Sequence, residues 1–209
     1  MKQALLVALA LALTWTASLP AAIIYTNRTV FESELGTVIT DDFGTAYPDG
    51  FAIYNNAVMS GFFNETDFTT TGFNNLNIHL ASDRYCAGCN GSFRLSFATT
   101  SVTATNGVFG AGFDVVAGTT YVAYVTFGDS STAQYSLPTS QAFWGITSPL
   151  EIQSIHLGLP GGASTNGGYL EIDNLTIGNA GELAAVPEPA SLTLFGAGLL
   201  ALGLARRKR

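Results

Sequence analysis

The chain has 209 residues and carries eight Lys and Arg against fifteen Asp and Glu, a formal net charge of −7 at pH 7. Residues 23–181 are more lopsided still: Arg28, Arg84 and Arg94 are their only fixed cations against thirteen acids, a net −10. Such a surface repels phosphate backbones, which excludes nucleic acid as a partner, and it offers carboxylates to divalent cations.

At the start, Lys2 precedes an uncharged run over residues 4–13, and the small residues Ala17, Ser18, Ala21 and Ala22 follow. That is the layout of a secretory signal peptide, with Ser18 and Ala22 as alternative last residues of the removed segment; signal peptidase is the implied partner. Taking residues 1–22 as the signal, residues 23–181 form one domain long enough to bury its own core.

One helix is expected in that domain, over residues 27–35. Asn27 can cap it, Phe31 and Leu35 share a face, and Gly36 is placed to stop it. Everything later reads as strand: 37–43, 51–54, 57–63, 76–81, 92–98, 108–116, 120–127, 142–147, 152–157 and 169–177. These segments are rich in β-branched and aromatic residues, and turn formers separate most of them. Strict alternation in Leu76-Asn77-Ile78-His79-Leu80 and in Phe93-Arg94-Leu95-Ser96-Phe97 gives each strand one buried and one wet face. Ten short strands without an internal repeat predict an all-β fold, an antiparallel jelly-roll-like β-sandwich. The glycine-rich stretch 158–168 is its longest expected loop.

Cys86 and Cys89 are the only cysteines. In an oxidising compartment they are expected to form a disulfide stapling a loop between residues 81 and 92; zinc would need two further ligands. His79 and His156 fall on the polar faces of their strands and are expected at the surface. Trp144 is the only tryptophan after the signal. Phe143 and Trp144 point to opposite faces of one strand, so Trp144 is a candidate sugar-stacking ring, with Tyr47, Tyr54, Tyr85 and Tyr169 beside turns as the others. The strand around Trp144 also resembles a Phe-Phe-Gly-Ile-like strand of exported bacterial proteins, where it implies a core position.

The far end is the most informative stretch. Val186, Pro187, Glu188 and Pro189 are followed by sixteen uncharged residues, 190–205, and then by Arg206, Arg207, Lys208 and Arg209. A helix of sixteen residues spans about 24 Å at 1.5 Å per residue, a little short of a hydrocarbon core of ~30 Å, and can just cross a membrane. The basic end favours the cytoplasmic side. Residues 182–189 then serve as linker and motif, 190–205 as transmembrane helix and 206–209 as cytoplasmic tail. This order of parts resembles the PEP-CTERM sorting signal of exported bacterial proteins. The resemblance implies processing by an exosortase, transient residence in the inner membrane, and delivery to the cell surface or an exopolysaccharide matrix.

Two further resemblances concern carboxylates. Glu171-Ile172-Asp173 is similar to the Glu-x-Asp-x-x-Glu signature of laminarinase-like glycoside hydrolases, but Thr176 stands where the second Glu belongs, and the paired-carboxylate mechanism needs both. An enzyme of this kind, hydrolase or lyase, would need a third carboxylate, for which Glu151 and Asp114 are candidates. Residues 172–177 and Asp41-Asp42-Phe43 resemble the closing and opening strands of carbohydrate-binding modules, which implies a structural Ca²⁺ shared by Asp42 and Asp173. The expectation that results is an exported, non-enzymatic protein with a structural, adhesive or glycan-binding role.

Overall fold

Strand β11, Ser140–Gly158, carries the architecture because it belongs to two layers at once. Its first half pairs with β8, Val108–Gly118, and with β1, Ile23–Tyr25. Its second half pairs with β7, Phe93–Ser96, and with β9, Val122–Phe127. Between the halves lie Pro149, which has no N–H for a ladder, and Glu151 at φ 58. A strand that bends at such a point can leave one sheet and enter another. The two strands expected over 142–147 and 152–157 are therefore the two arms of one bent strand. The computed structural model describes residues 22–102, 107–162 and 166–181.

The remaining strands are β2, Leu35–Asp41; β3, Ala52–Tyr54; β4, Asp67–Thr70; β5, Asn77–Leu80; β6, Arg84–Ala87; β10, Thr132–Ser136; and β12, Leu170–Ala180. One layer runs β4-β7-β11-β9-β10. The other runs β1-β11-β8-β12, and β12 continues to β2 along its second half and to β6-β5-β3 from its first. Every pairing is antiparallel, as the alternating patterns predict. Phe68, Phe93, Leu95, Val125 and Ile155 of the first layer meet Phe113, Val115, Trp144, Ile146, Ile172 and Ile177 of the second in one buried cluster.

The helix expected over 27–35 is present as α1, Arg28–Ser33, with Asn27 accepting from the Val30 amide as its cap. It lies on the outer side of the β11–β8 layer, where Phe31, Leu35 and Phe143 form a second small core. Bare backbone makes the space: a Cβ on Gly145 would come within 2.7 Å of the Phe143 ring and 3.0 Å of Phe31. Leu35 and Gly36 begin β2 instead of ending the helix.

Residues 57–63, expected as a strand, form a second helix, α2, Asn56–Phe63. Asn55 caps it through the Val58 amide, and Asn64 ends it in the left-handed region at φ 60. Met59 is buried beneath it, and Phe62 packs on Tyr47 and Tyr54. Four strands fall outside the expected set: β1, β4, β6 and β10. The first three have three or four residues, and β10 is an edge strand whose residues alternate between exposed and half-buried.

Among the described residues no helix is long and apolar enough to cross a membrane. Residues 1–21 of the expected signal peptide 1–22, and the expected membrane helix 190–205, lie outside the described residues.

Candidate functional site

The carboxylates singled out on β12 lie in a polar cluster centred on arginine. Register sets Asp173 directly across from Asp114 of β8, two like charges that need compensation. Arg28 supplies it from α1: one guanidinium nitrogen lies 3.0 Å from Asp114 and donates to the Asn174 carbonyl at 2.9 Å, and the other donates to the Thr176 hydroxyl at 2.5 Å. The same guanidinium sits 4.7 Å above the Phe143 ring, a favourable cation–π distance. Arg84 of β6 reaches Glu171 at 3.5 Å, and the Tyr169 hydroxyl donates to the other oxygen of Glu171. Burial and the neighbouring Asp114 hold the Asp173 carboxyl above the ordinary carboxylate range, although the Asn174 amide donates to it at 2.6 Å.

Two of the three arginines in residues 23–181 are thus spent on this one face. The cluster joins α1, β6, β8 and β12 and acts as a clasp. Thr176, which stands where the laminarinase-like signature has its second Glu, is buried and hydrogen-bonded to Arg28 and Thr40. Asp114 is held by Arg28, and Glu151 sits at the bend of β11, lining a separate apolar pocket with Phe109 and Pro149.

Asp42 and Asp173, the expected calcium pair, are engaged separately. Asp42 accepts from the Gly44 and Thr45 amides at 3.0 Å and from the Thr45 hydroxyl at 2.9 Å, bonds that hold its carboxyl below the usual range. Its neighbour Asp41 is the one that enters the pairing with β12, opposite Leu175. Among the described residues no group of three or more His, Cys, Asp or Glu side chains is placed to hold a metal.

Both histidine expectations require correction. His79 is buried, with Nε2 2.5 Å from the Phe43 carbonyl oxygen, Nδ1 3.0 Å from that of Gly50, and its ring stacked on Tyr47. The segment following β2 folds over the face of β5 that the alternation assigned to water. His156 is half-buried and shares a hydrogen bond with the Thr71 hydroxyl at 3.0 Å; burial, then the nearby Arg94, lowers its pKa.

Trp144 is likewise core and makes no sugar platform. It is 2 % exposed and packs against Phe113, while Phe143 on the opposite face is covered by α1. Of the tyrosine candidates, Tyr47 and Tyr85 are buried; Tyr169 is exposed and Tyr54 partly so. Tyr47 donates to Asp41 at 2.7 Å deep under the β5 face, a contact that no local sequence pattern announces. The Cys86–Cys89 disulfide is formed, its Cα atoms 4.6 Å apart. Its first half lies in a strand, β6, and not in the loop expected between residues 81 and 92.

The tail that carries Val186, Pro187, Glu188, Pro189 and the basic run Arg206, Arg207, Lys208 and Arg209 lies outside the described residues. Its sequence matches the PEP-CTERM protein-sorting motif over residues 185–209. No curated protein and no solved structure gives a significant match to the chain. The motif marks an exported, membrane-processed protein that an exosortase handles.

Proposed function

We propose that the chain is a non-enzymatic structural or adhesive protein of the cell surface or exopolysaccharide matrix. It enters the export path through residues 1–22, pauses in the inner membrane by its tail, and is released by the exosortase. The working part is then the jelly-roll-like sandwich of residues 23–181.

The observation that supports this most is the sorting motif at residues 185–209. A chain that carries it is tethered beside the membrane with its acidic domain facing outward. A disulfide and the absence of lysine between residues 3 and 207 suit that setting. The clasp around Glu171 and Asp173 ties α1 to strands β6, β8 and β12 of one layer through both of its arginines, which supports a structural role.

The test replaces Pro187, Glu188 and Pro189 with Ala in the full chain and follows it by fractionation. The parent is expected in the surface or matrix fraction, and the variant is expected to accumulate uncleaved in the inner membrane. Identical distributions would refute the reading.

A further inference from the structure

On β4 the alternation turns Phe68 and Thr70 inward and Asp67 and Thr69 outward. Register continues both outward positions across the layer. Asp67 stands opposite Ser96, then Ser154, Thr126 and Thr132 follow; Thr69 stands opposite Arg94, then His156, Tyr124 and Gln134. Two polar rows therefore cross five strands, a path of about 19 Å at ~4.8 Å per strand.

At one end these rows run under α2. Asn56, Ser60, Gly61 and Asn64 wall a cleft of about 460 Å³ whose floor includes Asp67, Thr69 and Ser96. That volume falls within the ~300–1,000 Å³ range of small-molecule sites. The wall is fixed from behind: Asn56 accepts from Thr70 and Asn77, and the Ser60 hydroxyl accepts from the Phe68 amide. The groups that face the opening are unspent. Among the described residues, no hydrogen bond or ion pair engages the side chains of Asn64, Asp67, Thr69 or Ser96, nor that of Arg94, which lies outside the cleft lining on the row of Thr69. The neighbouring Glu65 differs, giving its carboxylate to Thr100 and Ser101.

We propose that this cleft binds a neutral polysaccharide chain, which continues along the two rows; the proposal rests on the matrix-facing role given above. Hydroxyl, amide, carboxylate and guanidinium groups together supply the donors and acceptors that sugar hydroxyls use. Charge selects the class. Arg94 stands opposite Thr69 and is the one cation on these rows, while Asp67 and the domain's net −10 oppose uronates and sulfates.

Gly61 gives a clean test. It is exposed on α2, and a Cβ there would meet nothing within 4 Å, so Gly61→Phe fills the cleft while raising helix propensity. The full chain, purified in detergent, would be applied to an array of neutral oligosaccharides (cello-, xylo-, manno- and galacto-series) with alginate oligomers alongside. The native chain is expected to bind at least one neutral series. Gly61→Phe, with an undiminished melting temperature, and Asp67→Ala are each expected to bind at least tenfold more weakly. Binding confined to alginate, no binding to any neutral series, or native-like binding by Gly61→Phe would overturn the proposal. A chain that is sorted and cleaved yet binds no neutral glycan refutes the cleft alone. A chain that binds through the cleft but is never exported refutes the matrix role alone.

Discussion

Replacing Asp41 with Asn should change how the stability of this domain depends on pH. Asp41 is 1 % exposed and accepts from the Phe43 amide at 2.9 Å and the Tyr47 hydroxyl at 2.7 Å. Those bonds favour the ionised form, but burial outweighs them and pushes the carboxyl from 3.8 up to about 6. The folded state therefore holds this proton more tightly than the unfolded chain does. Its contribution is largest at acid pH and is lost as pH rises from about 4 through 6. Two units correspond to about 3 kcal/mol. Asn imitates the neutral carboxyl and does not titrate. Urea denaturation of both proteins at pH 4, 5, 6, 7 and 8 reads the difference directly. The stability of Asp41→Asn relative to the parent should rise by about 2.4 kcal/mol between pH 4 and 7, the rest of the effect lying below pH 4, and then level off. Because His156, Asp173 and the low-pKa carboxylates are common to both proteins, their contributions cancel. A constant offset across the whole range would refute the reasoning.

Truncating Trp144 to Ala should cost about 3–5 kcal/mol, because the ring fills the space between the layers; a surface ring would cost ~0.5 or less. Chemical denaturation separates the two. Arg28→Ala should lower stability at pH 7 by about 1–2 kcal/mol, since Asp114 and Asp173 then face each other uncompensated. Part of that loss should return as pH falls through the raised pKa of Asp173 and its carboxyl protonates, which a Tm series in pH would reveal. Replacing Cys86 and Cys89 with Ala opens a four-residue loop, and the chain-entropy relation gives a loss of about 2 kcal/mol. Equal urea midpoints for the two proteins would contradict it.

What the sequence conveyed was whatever is written locally. Strand-forming composition and alternation identified β2, β8, β9, both arms of β11 and β12, and Asn27 with Phe31 identified α1. The second helix was equally signalled by Asn55 and Asn64 at its ends. Val58, Phe62 and Phe63 in between carry strand-like composition, and the caps decide the outcome. Misplaced residues share one cause, which is cover from distant chain. His79 is polar and alternates correctly, yet Phe43 and Gly50 close over it from twenty-nine or more positions away. Phe143 and Trp144 do point to opposite faces, but α1 lies on one and the second layer on the other, so both are buried. Arg28 and Asp114 meet across eighty-six positions, and no local pattern pairs them. The scarcity of cations was the available clue: with three arginines for thirteen acids, two are drawn into the densest carboxylate cluster.

In the proposed function the tail is an address that is removed after reading. Mass spectrometry of the chain recovered from the surface or matrix fraction tests it most directly. The expected product is a polypeptide that starts after Ser18 or Ala22 and has lost Arg206, Arg207, Lys208 and Arg209 together with the apolar segment before them. Recovery of those four residues on the mature protein would contradict it and make the chain a permanently anchored membrane protein.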